Sequence, residues 1–274
     1  SDVYKRQALE IIKQAKAAGA DAIKLQTYTA DTITLNSDAE EFKIHGGLWD
    51  GETLYSLYER AHMPWEWHKP LFEYAHKLDI TMFSSPFDNT AVDLLEDLNA
   101  PAYKIASFEA IDLPLIRYVA STGKPMIIST GMADDEEIQE AIDAARSGGC
   151  KELAVLHCVS GYPAPAEDYN LRTILDMRER FGLVTGLSDH TIDNTTAVTS
   201  VALGASIIEK HFTLDRNGGG PDDSFSLEPE DLVALCRDSK TAWQALGSVN
   251  YGRKSSEQSN VKFRRSLYFV KDLK

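Results

Sequence analysis

The chain has 274 residues, 43% of them hydrophobic, enough for a full core and as compatible with one large α/β barrel as with two smaller domains. A formal net charge of −14 with no basic cluster opposes binding to nucleic acid, and no apolar run approaches the ~18 residues of a membrane span. Three dispersed cysteines, Cys150, Cys158 and Cys236, and an opening stretch 1–7 without signal-peptide character point to a soluble protein of the reducing cytoplasm.

From about residue 7 the chain alternates amphipathic stretches with short β-branched runs. Residues 8–16 have helical spacing, stop near Gly19 and lead into a strand at 22–25. Residues 29–66 form an aromatic-rich insertion containing His45-Gly46-Gly47-Leu48-Trp49-Asp50, which reads either as a lid over a substrate or as a packed surface excursion. Further strands are expected at 80–83, 102–105, 126–128, 153–156, 183–185 and 207–208, each followed by a polar loop and a helical pattern. Such a rhythm predicts a parallel sheet, and no Gly-x-Gly-x-x-Gly follows the first strand to suggest an open dinucleotide fold. A barrel lacking its first strand fits best, occupying residues 1–250 with 1–7 irregular or foreign. Residues 251–260 then turn polar before strand-like text at 263–270, which predicts a linker into the beginning of a truncated second domain over 251–274.

Ser188-Asp189-His190-Thr191 and Glu209-Lys210-His211-Phe212 each set a histidine just past an apolar run. On parallel strands the two imidazoles converge on one rim, where neutral rings suit a divalent metal with positions left for water and substrate. Either histidine alone also reads as a hydrogen-bonded structural group. Asp189 and Glu209 are candidate acceptors orienting the rings, although strand neighbours point to opposite faces. Lys24 and Lys104 lie inside apolar strand text, which implies internal ion pairs or the binding of phosphate and carboxylate. Gln26, Ser85, Ser107, Ser129, Thr130 and Ser188 all fall at strand ends, where they supply donors to an oxyanion or cap the following helices. Glu109 is a candidate general acid or base, or a helix-start carboxylate. Asp222, in the glycine-rich run 218–228, is a candidate substrate or metal-water contact within what composition alone makes a polar loop.

With Lys24-Leu25-Gln26-Thr27, Phe83-Ser84-Ser85-Pro86-Phe87, Tyr103-Lys104-Ile105-Ala106-Ser107, Ser129-Thr130-Gly131-Met132, His157-Cys158 and the two histidine strings in order, the chain closely resembles the sialic acid synthase family. Members of that family join phosphoenolpyruvate to an amino sugar. Leu48-Trp49-Asp50, Pro64-Trp65-Glu66-Trp67 and Gly220-Pro221-Asp222-Asp223-Ser224-Phe225-Ser226 look most like its pseudaminic acid synthases. The resemblance implies a (β/α)8 TIM barrel, here without the family's first strand, since its Glu-Ile-Gly and Asn-His-Asn segments have no counterpart before Ala8. It implies manganese or magnesium on His190 and His211. Phosphoenolpyruvate is then held by Lys24, Lys104, Ser107, Ser129 and Ser188, with Gln26 and Ser85 lining the pocket, Glu109 in proton transfer and Asp222 near the reacting groups. It further implies a homodimer of the full-length parent, in which an antifreeze-protein-like domain caps the partner's site and lends it an arginine. The implied reaction condenses phosphoenolpyruvate with a diacetamido-trideoxyhexose aldehyde to pseudaminic acid and phosphate by C–O cleavage. The rival readings are an N-acetylneuraminate or legionaminate synthase, a barrel aldolase with Lys104 as Schiff base, and an inactive fragment that only binds ligand.

Overall fold

Inward- and outward-facing residues alternate along every strand of this chain, and that alternation organises the molecule. A computed structural model describes residues 2–272; Ser1, Leu273 and Lys274 lie outside the described residues. Helix α1 (Asp2–Ala18) precedes strand β1 (Ala22–Thr27), after which α2 (Ala30–Ile33), α3 (Leu54–Ala61) and α4 (Trp65–Lys77) occupy the insertion and lead to β2 (Thr81–Pro86). The alternation then runs α5 (Asn89–Asp97), β3 (Tyr103–Ile105), α6 (Leu113–Ser121), β4 (Met126–Ser129), α7 (Asp135–Ser147) and β5 (Leu153–Cys158). It closes with α8 (Thr173–Phe181), β6 (Val184–Asp189), α9 (Thr195–Ala202), β7 (Ile207–Lys210) and α10 (Pro229–Leu246).

The helix starts carry legible local signals. Asp134 accepts from the N–H groups of Glu136 and Glu137 while Glu137 reaches back to the Asp134 N–H at 3.0 Å, a reciprocal cap that satisfies donors the first turn of α7 leaves open. Asp112 caps α6 in one direction only, accepting from Leu115 N at 3.0 Å.

All seven strands are parallel and pair in chain order, β1 through β7. Registers that set Gln26 beside Ser85, Lys104 beside Ile127, Leu156 beside Gly186, and Ser188 beside Glu209 give the sheet one polar inner face. The outer face carries Tyr103, Ile105, Met126, Ile128 and Val155, at most 2% exposed, packed under the helices as the main core. Each such side chain contributes roughly 1.5–3 kcal/mol relative to an exposed one. The sheet curls so far that Lys24 on β1 reaches Glu209 on β7, Nζ to Oε1 2.8 Å, although those two strands form no ladder with each other among the described residues. Gly186 permits a tight approach on the inside, since a Cβ there would stand 2.3 Å from the Ile207 carbonyl oxygen.

Three expectations change. Helix α1 extends over residues 2–7, so the described part of the opening stretch is regular rather than irregular. The strand-like text at 263–270 forms no strand; Leu267 is fully exposed, and with no neighbouring strand to complete its hydrogen bonds an apolar run alone does not make one. The polar stretch before it holds a 3-10 helix, Ser255–Phe263. Among the described residues no helix is long and apolar enough to cross a membrane.

Candidate active site

Because the register aligns Ser188 with Glu209 and Asp189 with Lys210, the next residue of each strand, His190 and His211, stands beside the other at the carboxyl rim. Their ring centroids are 5.3 Å apart. His190 Nδ1 lies 2.8 Å from the Val159 carbonyl oxygen, which requires its proton on Nδ1 and leaves Nε2 as a lone-pair donor. His211 Nδ1 lies 3.3 Å from Asp222 Oδ2. Burial, aided by the neighbouring His211, pushes His190 down to about 4, so the ring is neutral near pH 7. Burial opposes ionisation of Asp222, but the contact with His211 holds its carboxyl below the usual range. Oriented imidazoles of this kind fit a divalent metal; no group of three or more His, Cys, Asp or Glu suited to one occurs among the described residues, so water and substrate would complete the coordination.

The outer face braces the rim. The His190 N–H donates to Tyr169 Oη at 2.6 Å, and His157 Nε2 donates to the Tyr169 carbonyl at 2.5 Å. Asp189 and Lys210 point outward and pair at 2.8 Å, with the ammonium also donating to the carbonyls of Thr191 and Asp193 at 2.7 Å each. Asp189 and Glu209 are therefore not the ring acceptors. Asp189 is on the wrong face by strand alternation, and Glu209 is engaged by lysines.

Glu209 Oε1 lies 2.8 Å from Lys24 Nζ and 3.4 Å from Lys104 Nζ. Burial by itself would favour the neutral acid, yet the Lys104 and Lys24 ammoniums hold Glu209 well below the usual carboxylate range. Lys104 is 2% exposed, and burial pushes its ammonium down despite Glu209. One carboxylate thus neutralises one of two ammoniums, so the internal ion pair is present and one positive charge is left unmatched by it.

Hydroxyls surround that charge. Ser85 Oγ, Ser129 Oγ and Ser160 Oγ are buried without hydrogen-bond partners, as is Glu109 Oε2. Unpaired buried polar atoms on the inner face of the sheet and in the segments that follow β3 and β5 mark a place where a ligand supplies the missing partners. Ser107 Oγ donates to Cys158 Sγ at 3.3 Å, Ser188 Oγ stands 3.5 Å from Glu209 Oε1, and Gln26 follows Lys24 on the same face of β1. Gly131, at φ +47°, keeps the cradle open, since a Cβ there would come within 2.3 Å of Ser107 Cβ and 2.9 Å of Ser160 Oγ. Gly131→Ala is expected to weaken the binding of a small anion such as inorganic phosphate about tenfold or more, the loss of one charge-assisted hydrogen bond, as read by calorimetry. An unchanged affinity would remove Ser107 and Ser160 from the cradle.

Removal from water is the chief cause that pushes Glu109 from its ordinary 4.5 to about 7, with the Asp112 carboxylate adding to it. The structure thus gathers the predicted residues on one inner face and its rim. It adds Ser160, Tyr162 and, as an anion partner, Glu209. The first two sit in the loop after β5, the counterpart of the segment after β3 that bears Ser107, and that position was the available signal. The Tyr162 ring packs 4.4 Å from that of His190.

The sequence pattern of the NeuB family matches residues 11–251. A pseudaminic acid synthase from Campylobacter jejuni is 46% identical over 267 residues, covering 97% of this chain and 78% of that protein. An N,N'-diacetyllegionaminic acid synthase of the same organism is 36% identical over 271 residues, covering 97% and 81%. The N-acetylneuraminic acid (sialic acid) synthetase of Leptospira borgpetersenii, solved with citrate, superposes with a TM-score of 0.83 at 30% identity, covering 96% of this chain and 87% of that one.

Proposed function

The chain belongs to the NeuB family, and from that premise we propose that it condenses phosphoenolpyruvate with a diacetamido-trideoxyhexose aldehyde to give pseudaminic acid and inorganic phosphate. The observation that carries this reading is a pair of lysines, Lys104 buried and Lys24 partly so, sharing one carboxylate on a face that also bears unpaired serine hydroxyls, beside two imidazoles. The higher identity to a pseudaminic than to a legionaminic acid synthase, 46% against 36%, favours the former sugar. The fold is read as a (β/α)8 barrel in which one further strand fills the place between β7 and β1, whose inward side chains already meet.

Lys24 and Lys104, with Ser107, Ser129, Ser160 and Ser188, take the phosphate and carboxylate of phosphoenolpyruvate, while Gln26 and Ser85 line the same pocket. His190 and His211 would hold a divalent cation, manganese or magnesium, which when bound would supply Lewis-acid polarisation of the sugar aldehyde. Holding both substrates in one orientation brings the enol C3 against the aldehyde carbon. When that carbon–carbon bond forms, the π bond of the aldehyde breaks, its electron pair goes to the aldehyde oxygen, which takes a proton from solvent, and C2 becomes electron-poor and takes up water. Glu109, poised near 7, accepts the proton of that water. The resulting hemiketal breaks its C2–O bond, and phosphate leaves with the bridging oxygen. Asp222, steadied by His211, faces the reacting sugar.

The test is product mass and phosphate release with phosphoenolpyruvate labelled in its bridging oxygen. Labelled phosphate and a diacetamido nine-carbon acid are expected. Preference for N-acetylmannosamine would favour an N-acetylneuraminate synthase, and a borohydride-trapped adduct on Lys104 an aldolase. Phosphoenolpyruvate binding without turnover would identify a ligand-binding fragment.

A further inference from the structure

We propose that the hairpin at residues 43–53 is a sugar-selecting lid and that Trp49, at its tip, is a specificity-determining residue for the apolar portions of a hexose carrying two acetamido groups and a methyl group. This rests on the substrate reading above and adds to it a residue that selects the sugar.

The hairpin is built in advance of any ligand. Lys43 and Thr53 form an antiparallel bridge, Ile44 N donates to the Glu52 carbonyl at 2.9 Å, and Gly51 N donates to that of Ile44 at 3.0 Å. Arg60 on α3 anchors the returning arm, its Nη2 standing 2.9 Å from Glu52 Oε1. Gly46, Gly47 and Gly51 take φ of +79°, +75° and +85°, left-handed values that allow the tip to close within a few residues. The tip has no apolar core of its own: Leu48 is 50% exposed, and His45, Gly46 and Gly47 are exposed.

Trp49 differs from its neighbours. It is half-buried, its ring centroid lies 6.2 Å from that of Tyr162, and Tyr162 in turn packs 4.4 Å from His190 and 5.3 Å from Phe225. The lid tip is therefore one aromatic ring away from the aldehyde end of the site. A second group of rings follows β1 and β2, where Tyr28 meets Tyr58 at 5.6 Å and Phe87 at 5.3 Å, edge to face, and Trp65 Nε1 donates to the Tyr28 carbonyl at 3.3 Å. Tyr28 feels the Asp222 carboxylate and Tyr58 that of Glu109, so this group lies near both carboxylates.

The lysines and serines take the anionic substrate and the histidines the aldehyde, which leaves the tail of the sugar to the aromatic end. A 6-deoxy sugar with two acetyl groups presents methyls where N-acetylmannosamine presents hydroxyls. A tryptophan face rewards apolar surface and offers little to hydroxyls apart from its single N–H.

Calorimetric titrations of the chain with the diacetamido-trideoxy sugar, with N-acetylmannosamine and with phosphoenolpyruvate, each separately so that no turnover occurs, test the assignment. Trp49→Ala is expected to weaken the first sugar roughly tenfold, the second less than about twofold, and phosphoenolpyruvate not measurably, while Trp49→Phe keeps most of the discrimination. Equal loss for both sugars, or none for either, overturns the lid assignment, as does a wild-type chain that binds neither. If the wild type prefers N-acetylmannosamine, the substrate reading itself has failed. If it prefers the diacetamido sugar and Trp49→Ala keeps that preference, only the lid assignment has failed.

Discussion

His211→Ala is expected to lower phosphate release from phosphoenolpyruvate and the sugar by about a thousandfold or more, with phosphoenolpyruvate affinity held within about threefold. Lewis-acid polarisation of a carbonyl is worth several kcal/mol, and each 1.36 kcal/mol is a factor of ten. Binding of the enol substrate is spared because Lys24 and Lys104 make their contacts with Glu209 and not with the rings. His211 is a better test than His190, whose backbone and Nδ1 are tied to Tyr169 and Val159 and whose ring lies against Tyr162. Manganese titration by paramagnetic resonance, which needs no turnover, is expected to lose its stoichiometric site in the variant. Retained stoichiometric manganese binding would exclude the imidazole pair as the metal site.

Glu109→Gln is expected to move activity and stability in opposite directions. Turnover falls roughly a hundredfold to ten-thousandfold with the loss of a positioned base, and the wild-type decline in rate below about pH 7 disappears from the residual activity. The stability sign follows from the raised pKa: between 4.5 and about 7 the folded protein keeps a proton on Glu109 that the unfolded chain has lost, so stability falls as pH rises through that window. Above it the wild type carries the full cost. The shift sets an upper bound of about 3 kcal/mol, which partial exposure of the side chain reduces to about 1–2 kcal/mol. Thermal melts at pH 8 are expected to show the glutamine variant more stable by that amount, and at pH 4 no difference. A variant that is less stable at pH 8 would mean that Glu109 ionises freely and is not poised for proton transfer.

Much of this architecture is readable from local pattern. Each strand expected from a β-branched run is present, but the run does not mark its end. Strand β6 was expected at 183–185 and extends to Asp189, because its polar end residues pair with β7 and are held by backbone hydrogen bonds rather than by apolar burial. The stretch 263–270 fails for the converse reason, apolar text with no strand beside it. Lys24 and Lys104 were visible as charges inside apolar strand text and Ser129 and Ser188 as hydroxyls at strand ends, and strand alternation puts all four on the inner face. Ser160 and Tyr162 escaped because they lie in a loop, where no period indicates which way a side chain turns.

The order of residues alone determined the parallel α/β rhythm, the pairing of His190 with His211 and the family to which those strings belong, because each depends on spacing along one strand or on short contiguous motifs. Only the curl of the sheet decided that Glu209, 185 residues from Lys24 and 105 from Lys104, is shared by both lysines, that Glu109 is desolvated, and that Trp49 reaches Tyr162. Charge pairing and desolvation depend on distances in space, and those distances are set by how far the strands twist around one another before the chain returns.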